Sequence, residues 1–331
     1  MEGIMMRGAD RVAIAVRLPD DQIYLKTEKV AKPREWTQKP IIRGVFAFIM
    51  SLVMGTKVLM ESADILEDFT DFEVDEGPSK MEIWLEERFG PKAYWNLLIY
   101  ASVVFALAIS ILVFVLLPTV VVDWLGIWIE SAIVLNLIEG FFRLGIFVLY
   151  VLAIRKVEDI KTTFRYHGAE HKTIHCFENN LELTPENAQS FYTLHPRCGT
   201  SFLMFVLVIA IIVFSLCGWP SVWMRILSRL LLIPVIAGLS YELLKWAGSS
   251  DNLFVKILSI PGLLLQKLTT AEPTNEQLEV AIVALKAVLV DKHAPLVEGI
   301  CDKDANIIEA GRAIDLGKRA KEKGEEDVLS N

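Results

Sequence analysis

Residues 94–117 read YWNLLIYASVVFALAISILVFVLL, a run without one charged side chain. At a rise of about 1.5 Å per residue, such a run coils into a helix that crosses the roughly 30 Å hydrocarbon core of a bilayer. A soluble helix or strand would break its apolar runs with polar positions at regular spacing. The rest of the chain has the same character. Of 331 residues, 53% are hydrophobic, against roughly 45–50% in an ordinary globular domain. Ile127–Ile154, Phe202–Trp219 and Val222–Trp246 are the further spanning candidates, the last carrying Arg225, Arg229, Glu242 and Lys245 toward its ends. Ile41–Met60 is apolar too, but Arg43 and Lys57 bracket only 13 residues. A span needs roughly 20, so this segment is expected to lie in the interface or to re-enter.

The expected fold is mainly α: a polytopic membrane protein of about four spans with an interfacial helix and cytoplasmic helices. A small N-terminal β-hairpin precedes them. Val12, Ile14, Val16 and Leu18 alternate on one side of Arg11–Leu18, Pro19-Asp20-Asp21 supplies a turn, and Gln22–Val30 returns. Asn252–Leu268 is amphipathic, interrupted by Pro261-Gly262, and reads as lying on the membrane surface. Thr274 and Gln277 form a capping box for a helix reaching about Val290. The chain thus divides into an N-terminal hairpin region (1–40), an interfacial helix and acidic segment (41–93), a first pair of spans (94–154) and a His-rich loop (155–201). A second pair of spans (202–246), surface helices (247–290) and a mobile tail (291–331) follow.

The loop after the second span carries Arg155, Lys156, Lys161, Arg165 and Lys172, whereas Val120–Gly126 holds Asp123 and no Lys or Arg. The positive-inside rule places the basic loop in the cytoplasm. Four spans then put both termini there, in keeping with nine Lys/Arg in residues 1–43. The net charge of −8 comes with no basic stripe interleaved with aromatics, so no nucleic-acid partner is expected. The lipid bilayer is the expected partner. Residues 1–40 hold no apolar core of a signal peptide. The four cysteines have no framework spacing, so reduced thiols are expected.

Three of five histidines fall within His167–His175. On a helix turning about 100° per residue, Glu170 lies at roughly −60°, His171 at +40° and His175 at +80° from His167, all on one face. His167-Gly168-Ala169-Glu170-His171 also fits H-x-x-E-H, the order in which two histidines hold Zn²⁺ and the glutamate serves as base toward water. His175, His195, Cys198 and Glu242 are candidates to complete the metal site, with Glu170 the catalytic candidate. The competing reading is solvated loop histidines, with His195-Pro196-Arg197-Cys198-Gly199 a simple turn. Glu139 and Arg143 in the second span are spaced to pair on one helical face; a structural lock is favoured over a proton path.

Met1-Glu2-Gly3-Ile4-Met5-Met6-Arg7-Gly8, the stretch Tyr166–Cys176, Leu194-His195-Pro196-Arg197-Cys198-Gly199-Thr200-Ser201-Phe202 and Ser240-Tyr241-Glu242 together resemble the YqhQ-like bacterial membrane family, over nearly the whole chain to about Leu289. The resemblance implies a metal-dependent enzyme without naming its reaction, in the bacterial inner membrane. It also implies that residues precede Met1 in the family pattern. The leading functional expectation is a membrane-embedded hydrolase using Zn²⁺ or another divalent transition metal at the cytoplasmic interface, on a peptide or lipid-linked substrate. The alternatives are a non-catalytic scaffold or assembly factor with a structural metal site and, ranked below it, a di-iron lipid oxidase. The last normally needs about eight histidines, and carboxylates would have to replace the missing ones.

Overall fold

The computed structural model describes residues 2–30, 34–69, 88, 90–218, 221–248, 252–291 and 293–310. Most of the expected acidic segment and the tail from 311 onward lie outside these residues. The chain divides into two units: Met1–Asp71, Val151–Val206 and Leu232–Asn331 form the first, Phe72–Tyr150 and Leu207–Leu231 the second.

The first unit is organised by an antiparallel sheet of five strands in sequence order: β1 (Gly3–Arg7), β2 (Arg11–Arg17), β3 (Ile23–Lys29), β4 (Glu298–Cys301) and β5 (Ile307–Ala310). The expected hairpin is β2 and β3, with Arg11 opposite Lys29 and Arg17 opposite Ile23. Strand β2 is buried on both faces. Val12, Ile14 and Val16 pack with Val58 and Ile65 of helix α1 (Ile42–Phe69), while Ala13 and Ala15 face the opposite way. The small alanines let α10 (Asn275–Leu289) approach through Leu278, Ala281 and Leu285, together with Tyr166, Ala169 and Cys176 of α5 (Glu158–Glu178). Alternation of side chains across a strand makes this two-sided burial possible. The capping box on α10 forms as expected between Thr274 and Gln277.

Strands β4 and β5 correct the reading of 291–331 as a mobile tail, since Glu298–Cys301 adds an edge to β3. The segment is too short to announce itself by periodicity; its order comes from the unpaired groups of β3, which it satisfies.

Among the described residues, four helices are long and apolar enough to cross a bilayer: Ile42–Ser62, Ala101–Leu125, Ala132–Ile154 and Trp223–Ala247. They associate the chain with a membrane. The number is as expected, but the membership differs. Helix α7 (Gly199–Ser215) has 17 residues and is shorter than the expected Phe202–Trp219 span, because the chain leaves the helix before Gly218, at φ 71°. Helix α1 continues past Lys57, whose ammonium is paired with Glu28 at 2.6 Å, so the apolar run lengthens. Its second half nevertheless rests on the sheet through Val58 and Ile65. Helix α9 (Leu253–Thr269) runs through Pro261 without breaking. At Gly262 a Cβ would meet the Ser201 hydroxyl at 2.7 Å, so glycine there permits close helix contact.

In the second unit, α2 (Pro91–Ile111) and α3 (Leu117–Leu125) are joined by a π-helical turn, Leu112–Leu116. Pro118 has no N–H to give the Phe114 carbonyl, and Arg143 Nε of α4 (Ala132–Ile154) donates to that carbonyl at 2.8 Å instead. Arg143 also pairs with Glu139, whose side chain is 1% exposed. Arg229 of α8 (Val222–Ala247) donates Nη2 to Glu139 Oε2 at 2.6 Å, and Thr119 donates its hydroxyl at 3.1 Å. One carboxylate thus ties three helices, which is the structural lock. Removing one partner of a buried ion pair costs about 3–5 kcal/mol. Glu139→Ala is therefore expected to lower the thermal unfolding midpoint in detergent sharply. Lys161→Ala, which loses an exposed pair with Glu158, should stay within about 1 kcal/mol of the parent.

Candidate metal centre

Helix α5 carries its histidines on the face that meets residues 190–198 and the end of α9. His171 is 2% exposed and His175 is 7% exposed, so their ring nitrogens must find partners inside the protein. His171 Nδ1 lies 2.6 Å from the Thr193 carbonyl oxygen and His167 Nδ1 lies 2.8 Å from that of Thr269. A carbonyl only accepts, so both Nδ1 atoms carry the proton and both Nε2 atoms are left as lone-pair donors. His167 Nε2 is 3.0 Å from Cys198 Sγ. The ligand atoms of His167, His171 and Cys198 lie within 4.8 Å of one another. After small rotamer shifts they suit one ion with bonds of about 2.0–2.3 Å. Two neutral imidazoles and a thiol form a donor set that fits zinc, and rings steered through Nδ1–H to fixed acceptors are the usual support of metal-bound histidine.

His175 and His195 join Glu178 in a second group within the same 4.8 Å limit. Its hydrogen bonding differs. His175 Nε2 is taken by the Leu194 carbonyl at 2.9 Å. His195 Nδ1 accepts from the Arg197 amide at 3.3 Å, which leaves the proton on Nε2, 3.5 Å from Glu178 Oε2. Burial pushes His195 down to about 4, opposed by the nearby Glu178 carboxylate. The ring is neutral at pH 7 and offers its proton to Glu178, an arrangement better suited to holding or moving a proton than to ligation. The two groups touch, with the His171 and His195 ring centroids 5.6 Å apart.

Glu170 stands on the edge of the same helix and lines a cavity with His167 and Tyr166, outside both groups. Burial raises its carboxyl above the usual range. Glu242, expected as a ligand, is not brought to the histidines. Its carboxylate pairs with Arg43 and accepts from the Ile41 amide at 3.2 Å. Ile41 sits at φ 68°, a conformation unfavourable for a β-branched residue, and its side chain packs where a Cβ on Gly238 would be. The acid anchors this strained entry into α1.

Glu178 was the residue missed, although it lies three positions after His175 on the same helix, the spacing at which side chains meet. Gln266 belongs to the segment Asn252–Leu268, whose amphipathic pattern gives no sign of its role. It is fully buried, accepting from the His195 amide at 2.8 Å and donating to the His195 carbonyl at 2.8 Å and the Ser201 hydroxyl at 2.9 Å. Lys172, 3% exposed, is satisfied by the Gln189 carbonyl at 3.0 Å and Glu272 at 2.8 Å.

A family model described as "Protein of unknown function (DUF1385)" matches residues 39–291. The chain belongs to the DUF1385 family. It is similar to "Uncharacterized protein YqhQ" of Bacillus subtilis (strain 168), with 33% identity over 296 residues, covering 87% of this chain and 90% of that protein. No solved structure matches. The family match runs from the start of α1 to the end of α10, includes every candidate site residue of this DUF1385 protein, and leaves the five strands outside it.

Two substitutions test how the centre is held. A Cβ on Gly168 would collide with the Ala271 carbonyl, and overpacking of this kind costs about 1–3 kcal/mol. Gln266→Leu orphans the His195 amide and carbonyl, at about 1–3 kcal/mol for each buried group left unpaired. Gly168→Ala and Gln266→Leu should both lower the unfolding midpoint, and hydrogen exchange should show residues 193–198 losing protection in Gln266→Leu.

Proposed function

We propose that this DUF1385 protein is a metal-dependent hydrolase of the bacterial inner membrane, with His167, His171 and Cys198 as ligands of zinc or another divalent transition metal. The observation that carries the reading is the pair of Nδ1–H bonds to Thr193 and Thr269, which leaves both Nε2 atoms as lone-pair donors, that of His167 3.0 Å from the Cys198 thiol, with ligand atoms of all three residues within 4.8 Å of one another. A metal held there would supply a Lewis acid and an open coordination position, since three protein ligands leave a tetrahedral ion one site short. Glu170 is the general base, within one turn of both histidines, and accepts the proton of the attacking water. His195 and Glu178 lead protons away through their Nε2–carboxylate contact. The substrate reaches the centre from the membrane, and its linkage is a peptide or a lipid-borne bond.

A scaffold with a structural metal site is the second reading, favoured by the burial of His171 and Cys198. The two separate cleanly. Elemental analysis of purified protein is expected to give near-stoichiometric metal in the parent, Glu170→Gln and Glu242→Gln, and none in His171→Ala or Cys198→Ala. Glu170→Gln should fail to restore the phenotype of a deletion strain. Full rescue would leave the scaffold reading, and a parent free of metal would remove both.

The orientation proposed here keeps the histidine centre and both termini in the cytoplasm, with α1 lying along the interface against the sheet. Cys217, the one exposed cysteine, then faces outward, while Cys176, Cys198 and Cys301 are buried. An impermeant maleimide applied to intact cells should label the protein and lose that label in Cys217→Ser. Labelling only after lysis would reverse the orientation.

A further inference from the structure

The cavity that Glu170 lines measures about 330 Å³, within the roughly 300–1,000 Å³ of small-molecule sites. All its walls belong to the first unit. Strands β1 and β2 supply Ile4, Ile14 and Val16, helix α1 supplies Gly55, Val58, Leu59 and Ser62, and α5 closes it with Tyr166, His167 and Glu170. The lining is mainly apolar; the Thr163 hydroxyl donates to the Asp159 carbonyl and that of Tyr166 to Glu2, which leaves two polar places open to a ligand. One is the His167–Glu170 end. The other is the Ser62 hydroxyl, 1% exposed and without a hydrogen-bond partner among the described residues. A buried hydroxyl left unpaired costs about 1–3 kcal/mol, so it marks a position where a ligand acceptor belongs. Leu59 lines the cavity while remaining 53% exposed, next to Met60 and about two helical turns from Leu52 and Val53 on the apolar outside of α1. The opening is therefore continuous with the surface of a helix apolar enough for a bilayer.

We propose that this cavity receives one fatty-acyl chain of a membrane lipid, with the acyl carbonyl accepting from Ser62 and lying beside Glu170 and His167. The apolar walls replace the chain's bilayer environment, so entry exchanges one apolar medium for another. The two polar places then provide register along the chain. A water-soluble peptide would forfeit its hydration on entering and find few partners for its amides. The assignment names the substrate class of the hydrolase proposed above and rests on that reading for its chemistry. Water adds across the acyl linkage, its hydroxyl to the carbonyl carbon and its proton to the departing oxygen or nitrogen, to give a fatty acid and a deacylated lipid.

Occupancy is tested apart from chemistry. The full chain is reconstituted in nanodiscs of phosphatidylglycerol containing a phosphatidylglycerol with a diazirine on one acyl chain, then irradiated and mapped by mass spectrometry. A parallel sample receives free diazirine-palmitate instead. The lipid probe is expected to label Val16, Val58 or Tyr166 saturably, as well as the general lipid-facing surface of Ala101–Leu125. A Cβ at Gly55 meets nothing within 4 Å, so Gly55→Trp fills the cavity from a helical position without a backbone clash. It should abolish cavity labelling and leave that of Ala101–Leu125 unchanged. Gly55→Leu, a smaller plug on a better helix former, should reduce it and secures the result if the tryptophan variant misfolds. No cavity labelling in the parent, labelling indifferent to both plugs, or labelling by free palmitate alone overturns the proposal. His171→Ala should keep the cavity label while losing metal, so failure of the lipid site and failure of the metal centre read out separately.

Discussion

Every feature of the candidate centre depends on two backbone carbonyls, those of Thr193 and Thr269, being fixed opposite α5. An imidazole buried without a partner is costly, and one with both nitrogens taken cannot bind a metal. Each carbonyl occupies one nitrogen and leaves the other. Their placement needs the loop 193–198 and the end of α9 to come within hydrogen-bonding distance of the helix. Gly168 permits that approach on the α9 side, where any side chain would strike Ala271. Gln266 holds the loop by both the oxygen and the nitrogen of its side-chain amide. The centre is thus a packing achievement of backbone and small residues, and the histidines occupy what that packing leaves.

Charge in the apolar part of the molecule obeys the same rule. Glu139 holds two arginines and a threonine, and Arg143 in turn covers the carbonyl that Pro118 leaves without a donor. Proline in a membrane helix frees a carbonyl that lipid cannot satisfy. Here the neighbouring helix supplies the donor. The phenyl ring of Phe214, 5.4 Å from the Arg229 guanidinium, gives the extra positive charge an aromatic face.

The membrane character, the hairpin, the capping box and the histidine helix were legible because each rests on local periodicity or spacing. Cys198 was legible as part of a short polar motif beside a span. What escaped depended on distant partners. Strand β4 is ordered by the open edge of β3, a pairing between residues such as Tyr24 and Ile300 that no window of sequence contains. Gln266 looks like a surface residue until the loop it serves is in place. Glu242 looked like a ligand because an acid near a span end is costly unless matched, and its match, Arg43, lies far away in sequence. Glu178 was visible in principle, one turn beyond His175, but the eye for H-x-x-E-H stops at the motif.

The pairing of β3 with β4 joins the two extremities of the described chain, with every described helix between them. A ribosome delivers β1–β3 first and β4 only after all the apolar helices have emerged. Until then the outer edge of β3 is open, a template for another chain. Contacts this remote in sequence close slowly. The sheet can therefore close only after every described helix has been made. Cells that make this protein faster than they insert it would accumulate molecules with that seam unsewn, and there misassembly would begin.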